Sequence, residues 1–120
     1  MPKINPEAGS EDKKQKLKSR GFAITVQVKH GFDQAIAYFK SQEGKLTCGV
    51  AGQEVCPETK RDHLQCFIYF KNKINLTTVR GSMKGHITAI YASPQDNWDY
   101  CNKDSKILWT FGQRPEGAGA

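Results

Sequence analysis

Three short segments of this chain place metal ligands and a nucleophile at spacings with mechanical meaning. The first is His63-Leu64-Gln65. On a strand, residues i and i+2 share a face, so His63 and Gln65 project together while Leu64, Cys66, Ile68 and Phe70 form an apolar row on the other side. An imidazole nitrogen with an amide oxygen suits Mg²⁺ or Mn²⁺ better than a closed zinc site. Taken alone, His-x-Gln fits a solvated strand pair equally well. The second segment is Gly52-Gln53-Glu54, nine residues before His63. Strands joined by a short polar connection usually pair, so a carboxylate there would complete a three-donor set and bring its anionic charge. The third is Tyr100-Cys101-Asn102-Lys103-Asp104. On a helix, Tyr100, Lys103 and Asp104 share one face. A phenol one turn from an ammonium can attack a phosphodiester, with the lysine offsetting negative charge; an amphipathic helix with a solvated lysine is the plain alternative.

The elements that must carry these groups follow from periodicity. Phe22, Ile24, Val26 and Val28 alternate with polar or small residues, which predicts a first strand. Phe32, Ala35, Ile36 and Phe39 recur at helical spacing up to Gly44. Residues 46–54 and 63–70 read as the second and third strands. Asn75 is placed to cap a helix running to about Lys84, and residues 86–92 form a further strand. Ser93-Pro94 is a helix start, with Ser as N-cap and Pro at the first helical position, for a helix to about Lys103. Residues 107–111 make the last strand. The order βαββαβαβ predicts an α+β domain, ferredoxin-like or RRM-like, with an antiparallel sheet of about five strands and helices on one face.

The chain has 120 residues, 38% hydrophobic and 25% charged, a size that supports one core and one site. No apolar run approaches the ~20 residues that cross a bilayer, and no secretory signal is apparent, so no membrane partner is expected. The net charge of +6 favours a polyanionic partner. Half of that excess lies in residues 1–20, a Lys-rich segment poor in large apolar side chains, read as a disordered basic tail. Residues 21–112 form the folded domain and 113–120 a linker-like end. The spacings of Cys48, Cys56, Cys66 and Cys101 match no metal-binding pattern, so they read as reduced thiols. Lys60, Arg61, Lys71, Lys73, Arg80 and Lys84 are candidates for phosphate contacts. Trp109 reads as core, and Trp98 as either core or a base-stacking group.

With these segments in hand, the chain resembles the replication initiator (Rep) endonuclease domain of circular single-stranded DNA viruses, a branch of the HUH endonucleases. The likeness spans roughly residues 20–115. Ile24-Thr25-Val26-Gln27 corresponds loosely to the family's Phe-Thr-Leu-Asn. His63-Leu64-Gln65-Cys66 corresponds to His-Leu-Gln-Gly, with Cys66 in place of Gly. Tyr100-Cys101-Asn102-Lys103 matches Tyr-Cys-x-Lys fully, and Glu54 falls at the position of the upstream metal-binding Glu.

The resemblance implies a nickase-ligase that initiates rolling-circle replication. Glu54, His63 and Gln65 would hold Mg²⁺ or Mn²⁺, with Asp104 as a further candidate ligand. Tyr100 would form a 5′-phosphotyrosine bond, assisted by Lys103, and Thr25 and Gln27 would contact DNA. It further implies single-stranded DNA at a viral origin stem-loop and the host replication machinery as partners. Other expectations are a location in the host nucleus, a helicase domain beyond the linker, and a monomeric isolated domain that oligomerises at full length. The competing readings are a non-catalytic RRM-like module that stacks bases on Phe67 and Tyr69, and a plasmid or transposon HUH initiator, which usually has a second His where Gln65 stands.

Overall fold

The computed structural model describes residues 17–55, 60–103 and 105–116. Five strands form one antiparallel sheet: β1 (Lys18–Gln27), β2 (Leu46–Val55), β3 (Asp62–Asn75), β4 (His86–Ala89) and β5 (Lys106–Phe111), in the order β4-β1-β3-β2-β5. Three helices connect them: α1 (Phe32–Ser41), α2 (Leu76–Arg80) and α3 (Pro94–Asn102). The element order and the α+β class are those read from periodicity.

The alternation along β1 and β3 decides which face is which. Phe22, Ile24 and Val26 of β1 and Leu64, Cys66, Ile68 and Phe70 of β3 are buried on one side. There they meet Ala35 and Phe39 of α1 and Leu76 and Val79 of α2. Burying each such large side chain removes roughly 1.5–3 kcal/mol of apolar exposure, so this face is the main source of cohesion. Trp109 of β5 closes it: the indole stacks on Phe39 with ring centroids 5.1 Å apart and donates its N–H to Glu43 at 2.9 Å. Trp109 also packs against Gly49, where a Cβ would collide with the ring.

The helices are not confined to that face. α3 crosses the opposite side, where Cys101 packs with Cys48, Val50, Phe67 and Ile90, and Trp98 lies against the same cluster. The apolar Phe67 and Val50 on the nominally polar face make this possible: half of that face needs a cover, and α3 supplies it.

Several boundaries differ from the periodicity reading. β1 begins at Lys18, inside the segment read as a tail, because Ser19 is tucked into the sheet opposite Ile74 with its hydroxyl bonded to the backbone of Gly21. Residues 1–16 of that tail, and 117–120 of the linker-like end, lie outside the described residues. β1 stops at Gln27, and Val28–His30 turn as a 3₁₀ segment, leaving Val28 exposed. β3 runs on to Asn75, which precedes α2 without using its side chain as a cap. α2 ends at Arg80 because Gly81 follows a turn of two threonines, both weak helix formers. α3 starts as expected, with Ser93 accepting a hydrogen bond from the Asp96 N–H at 3.1 Å and Pro94 in the first turn. Among the described residues no helix is long and apolar enough to cross a membrane.

Candidate functional site

The antiparallel register assembles the polar face row by row. Gln27, His63 and Glu54 face one another across β1, β3 and β2, and the next row holds His86, Thr25, Gln65 and Gly52 across β4, β1, β3 and β2. Directly paired residues share a face with Cβ atoms about 4.5–5.5 Å apart. The sequence separation of nine between Glu54 and His63 thus becomes a cross-strand contact: Glu54 Oε1 lies 3.8 Å from His63 Nε2, and both side chains are partly open to solvent, at 28% and 21%. Gln65 is one row further along. Its amide oxygen accepts a hydrogen bond from Thr25 Oγ1 at 3.4 Å, which orients the amide.

The donor set on this face is one carboxylate, one imidazole and one amide oxygen. It suits a divalent ion that keeps open positions for substrate oxygens, and the partial exposure of Glu54 and His63 leaves room for them. Among the described residues no group of three or more His, Cys, Asp and Glu side chains is placed to hold a metal, and the Gln65 amide oxygen is a further polar donor on the face of Glu54 and His63. Asp104, the further candidate, lies outside the described residues. Cys66, where the resemblance has Gly, points away from the site into the opposite core and is fully buried.

α3 brings its C-terminal end down on the same face. Cys101 is its anchor, and burial, aided by the nearby charge of Glu54, pushes that thiol up to about 12. Beside this anchor, Tyr100 is 59% exposed, its ring turned to solvent. Lys103 does not lie within the helix as its spacing predicts. It is the C-cap, in extended conformation, with its backbone N–H bonded to the Tyr100 carbonyl at 3.4 Å, and its side chain is exposed. On the outer side of α3, Asp99 takes both nitrogens of the Arg114 fork at 2.8 and 2.9 Å, which ties the chain after β5 to the helix that carries Tyr100.

The basic residues divide into three groups. Lys60 and Arg61 line a cavity of about 760 Å³ beside His63, together with Thr25, Gln27, Lys29 and the acidic Asp62, so three cationic groups and one carboxylate border the site there. Lys60 is the described non-glycine residue with positive φ, at 61°. Lys71 and Lys73 do not flank the site. They lie at the other end of β3, eight and ten residues from His63 and hence roughly 26 Å or more away, where Lys71 reaches the Gly44 carbonyl at 3.3 Å. Arg80 and Lys84 belong to the α2 side of the sheet. The Arg80 guanidinium donates to the Ile87 carbonyl, and the Lys84 backbone is clasped by the Gln34 amide.

His86, whose position at the start of a strand suggests a structural or DNA-contacting role and not a ligand, is exposed on the site face directly across from Thr25. The aromatic platform of the RRM-like reading is not open: Phe67 is fully buried beneath α3, and Tyr69 carries the Arg20 guanidinium 4.6 Å above its ring. Gly52 and Ser105, neither of them singled out for a role of its own, hold α3 to the sheet.

No protein-family model matches the chain. It is similar to a replication-associated protein of Canary circovirus, with 26% identity over 88 residues, an alignment that covers 67% of this chain and 30% of that protein. The chain therefore spans less than a third of the relative's length, and the similarity to a circovirus replication-associated protein joins the clustered Glu54, His63 and Gln65 as the second line of observation bearing on what the site does.

Proposed function

We propose that this chain is a metal-dependent endonuclease that nicks and rejoins single-stranded DNA at a viral origin stem-loop, and so initiates rolling-circle replication. The observation that carries the reading is the Glu54–His63 pair, 3.8 Å apart on the face that Gln65 shares and that the end of α3 covers. The similarity to a circovirus replication-associated protein supports it.

Glu54, His63 and Gln65 would hold Mg²⁺ or Mn²⁺, which when bound polarises the scissile phosphate. Tyr100, exposed near the end of α3, attacks the phosphorus. The phenolic proton is lost to solvent, the 3′-oxygen of the preceding nucleotide leaves and is protonated to a 3′-OH, and the 5′-phosphate stays on the tyrosine oxygen. Lys103, at the end of the same helix, offsets the negative charge that gathers there. The phosphotyrosine ester retains much of the energy of the original bond, so a strand ending in 3′-OH reverses the step without ATP. Lys29, Lys60 and Arg61 beside His63 supply phosphate contacts to the incoming strand, and Thr25 and Gln27 face its bases. The host replication machinery, which would extend the 3′-OH, is the implied partner, and the host nucleus the implied location.

The test is a labelled origin oligonucleotide incubated with the chain and Mn²⁺, followed by a denaturing gel. Wild type is expected to give a covalent adduct that excess chelator or His63→Ala abolishes, and Tyr100→Phe should bind the oligonucleotide without forming it. An adduct with Tyr100→Phe would move the nucleophile elsewhere, and no adduct with wild type would leave a binding module.

A further inference from the structure

We infer that Gly52 and Ser105 are positioning residues for the nucleophile: together they form the seat that sets the height of Tyr100 above the Glu54, His63 and Gln65 face. The inference rests on the proposed role of Tyr100.

Gly52 stands on β2 directly across from Gln65 and two residues before Glu54, on the same face as both. A Cβ there would lie 2.6 Å from the Cys101 carbonyl oxygen, 2.6 Å from Ser105 Oγ and 2.9 Å from Ser105 Cβ. Real side chains do not approach so closely, so the end of α3 rests on bare strand backbone, and any side chain at position 52 lifts it. Such a Cβ meets the Cys101 backbone carbonyl as closely as it meets the Ser105 hydroxyl, so rotating the serine side chain alone would not relieve the clash.

Ser105 completes the seat from the other direction. Its hydroxyl donates to the Cys101 carbonyl at 2.6 Å and lies 3.3 Å from the Lys103 carbonyl. The last four carbonyls of a helix have no partner within it. Ser105 satisfies one of them, and in doing so is itself held against the end of α3. Cys101, held between Gly52 below and Ser105 beside it, is the immediate neighbour of Tyr100 and two residues from Lys103. The strand backbone at position 52 is thus a common floor for two metal donors and for the helix that brings the attacking oxygen. A displacement of about 1 Å between reacting groups can cost on the order of 10²-fold in rate.

The experiment compares wild type, Gly52→Ala and Ser105→Ala for adduct formation at saturating oligonucleotide, oligonucleotide affinity, and Mn²⁺ affinity by electron paramagnetic resonance without DNA. Amide exchange at Asn102 and Lys103 is followed in the metal-free protein. Gly52→Ala is expected to slow the saturated rate by on the order of 10²-fold, with DNA and Mn²⁺ affinities within about twofold of wild type. Ser105→Ala should slow it less and accelerate exchange at the end of α3, and it carries the test alone if Gly52→Ala fails to fold. Wild-type rates in a folded Gly52→Ala or in Ser105→Ala would overturn the seat while leaving Tyr100 as the nucleophile. Loss of Mn²⁺ affinity in step with the rate would overturn it too, since the residues would then serve the donors. No adduct with wild type removes the nucleophile itself, and the seat's role with it.

Discussion

Thr25 Oγ1 donates to Gln65 Oε1 across the β1–β3 pairing, 3.4 Å apart, and so fixes which end of the Gln65 amide faces the site. The oxygen keeps a second lone pair, so the bond would orient Gln65 toward the proposed metal without consuming it as a donor. Thr25→Val keeps the shape and removes the hydroxyl. The expected outcome is a folded protein whose Mn²⁺ affinity falls by roughly 10-fold, the usual scale for losing a group that orients a ligand. A Mn²⁺ titration followed by electron paramagnetic resonance measures it. Unchanged Mn²⁺ affinity with weakened oligonucleotide binding would assign Thr25 to DNA contact instead.

Burial holds the Cys101 thiol up at about 12 and that of Cys48 at about 11, against an ordinary value of 9.0. The folded state therefore keeps its protons where the unfolded chain gives them up. Below pH 9 this stabilisation is fully present. It declines as pH climbs past 9 and is gone once the folded thiols titrate near 11 and 12. Thermal melts from pH 7 to 11 should show falling stability above pH 9, with a weaker fall in Cys101→Ala measured against its own value at pH 7. Identical slopes for the two proteins would show that the thiol is not the source.

At Asp99, the hydrogen bond from the Arg114 guanidinium, aided by its charge, holds the carboxyl below its ordinary value of 3.8. A depressed carboxyl stabilises the fold above the unfolded value and ceases to do so as pH falls through the folded one, so the effect lies in the acid range below about pH 4. Both side chains are 53% exposed, so its size is that of a screened surface pair. In Arg114→Ala, the Asp99 carboxyl resonance should titrate at the ordinary carboxylate value, and an unmoved midpoint would remove Arg114 as the cause.

The sheet was legible because β1 and β3 alternate cleanly, and because the three chemical segments lie on elements whose type their own residues dictate. Pairing Glu54 with His63 needed only a short connection between adjacent strands. The side of the sheet that α3 covers was less legible. Periodicity separates Leu64, Cys66, Ile68 and Phe70 from His63, Gln65, Phe67 and Tyr69, but it does not say that Phe67 is buried under α3, a helix separated from β3 by two elements of the chain. The signal was there in part: Phe67 and Val50 are apolar on a face that solvent alone would not favour. In the sequence Gly52 is only the neighbour of Glu54, since a missing side chain becomes informative only when the helix resting on it is known. Nearness along the sequence places Lys71 and Lys73 with Lys60 and Arg61 around His63, yet a fourteen-residue strand separates its ends by more than the width of the site.

The two hydrophobic clusters lie on opposite sides of a single layer of backbone. Side chains interact energetically when they touch or share a cavity, and distant ones add independently. Phe39 and Trp109 are in one such community, Phe67 and Cys101 in the other. A volume change among the first group alters how strongly the sheet holds together, whereas one among the second alters how α3 lies on it. The chain can therefore exchange residues in its larger core at a cost in cohesion alone, while the small cluster under α3 is tied to the placement of Tyr100. Substitutions under α3 are thus expected to disturb the placement of Tyr100 more than substitutions of equal size in the larger core.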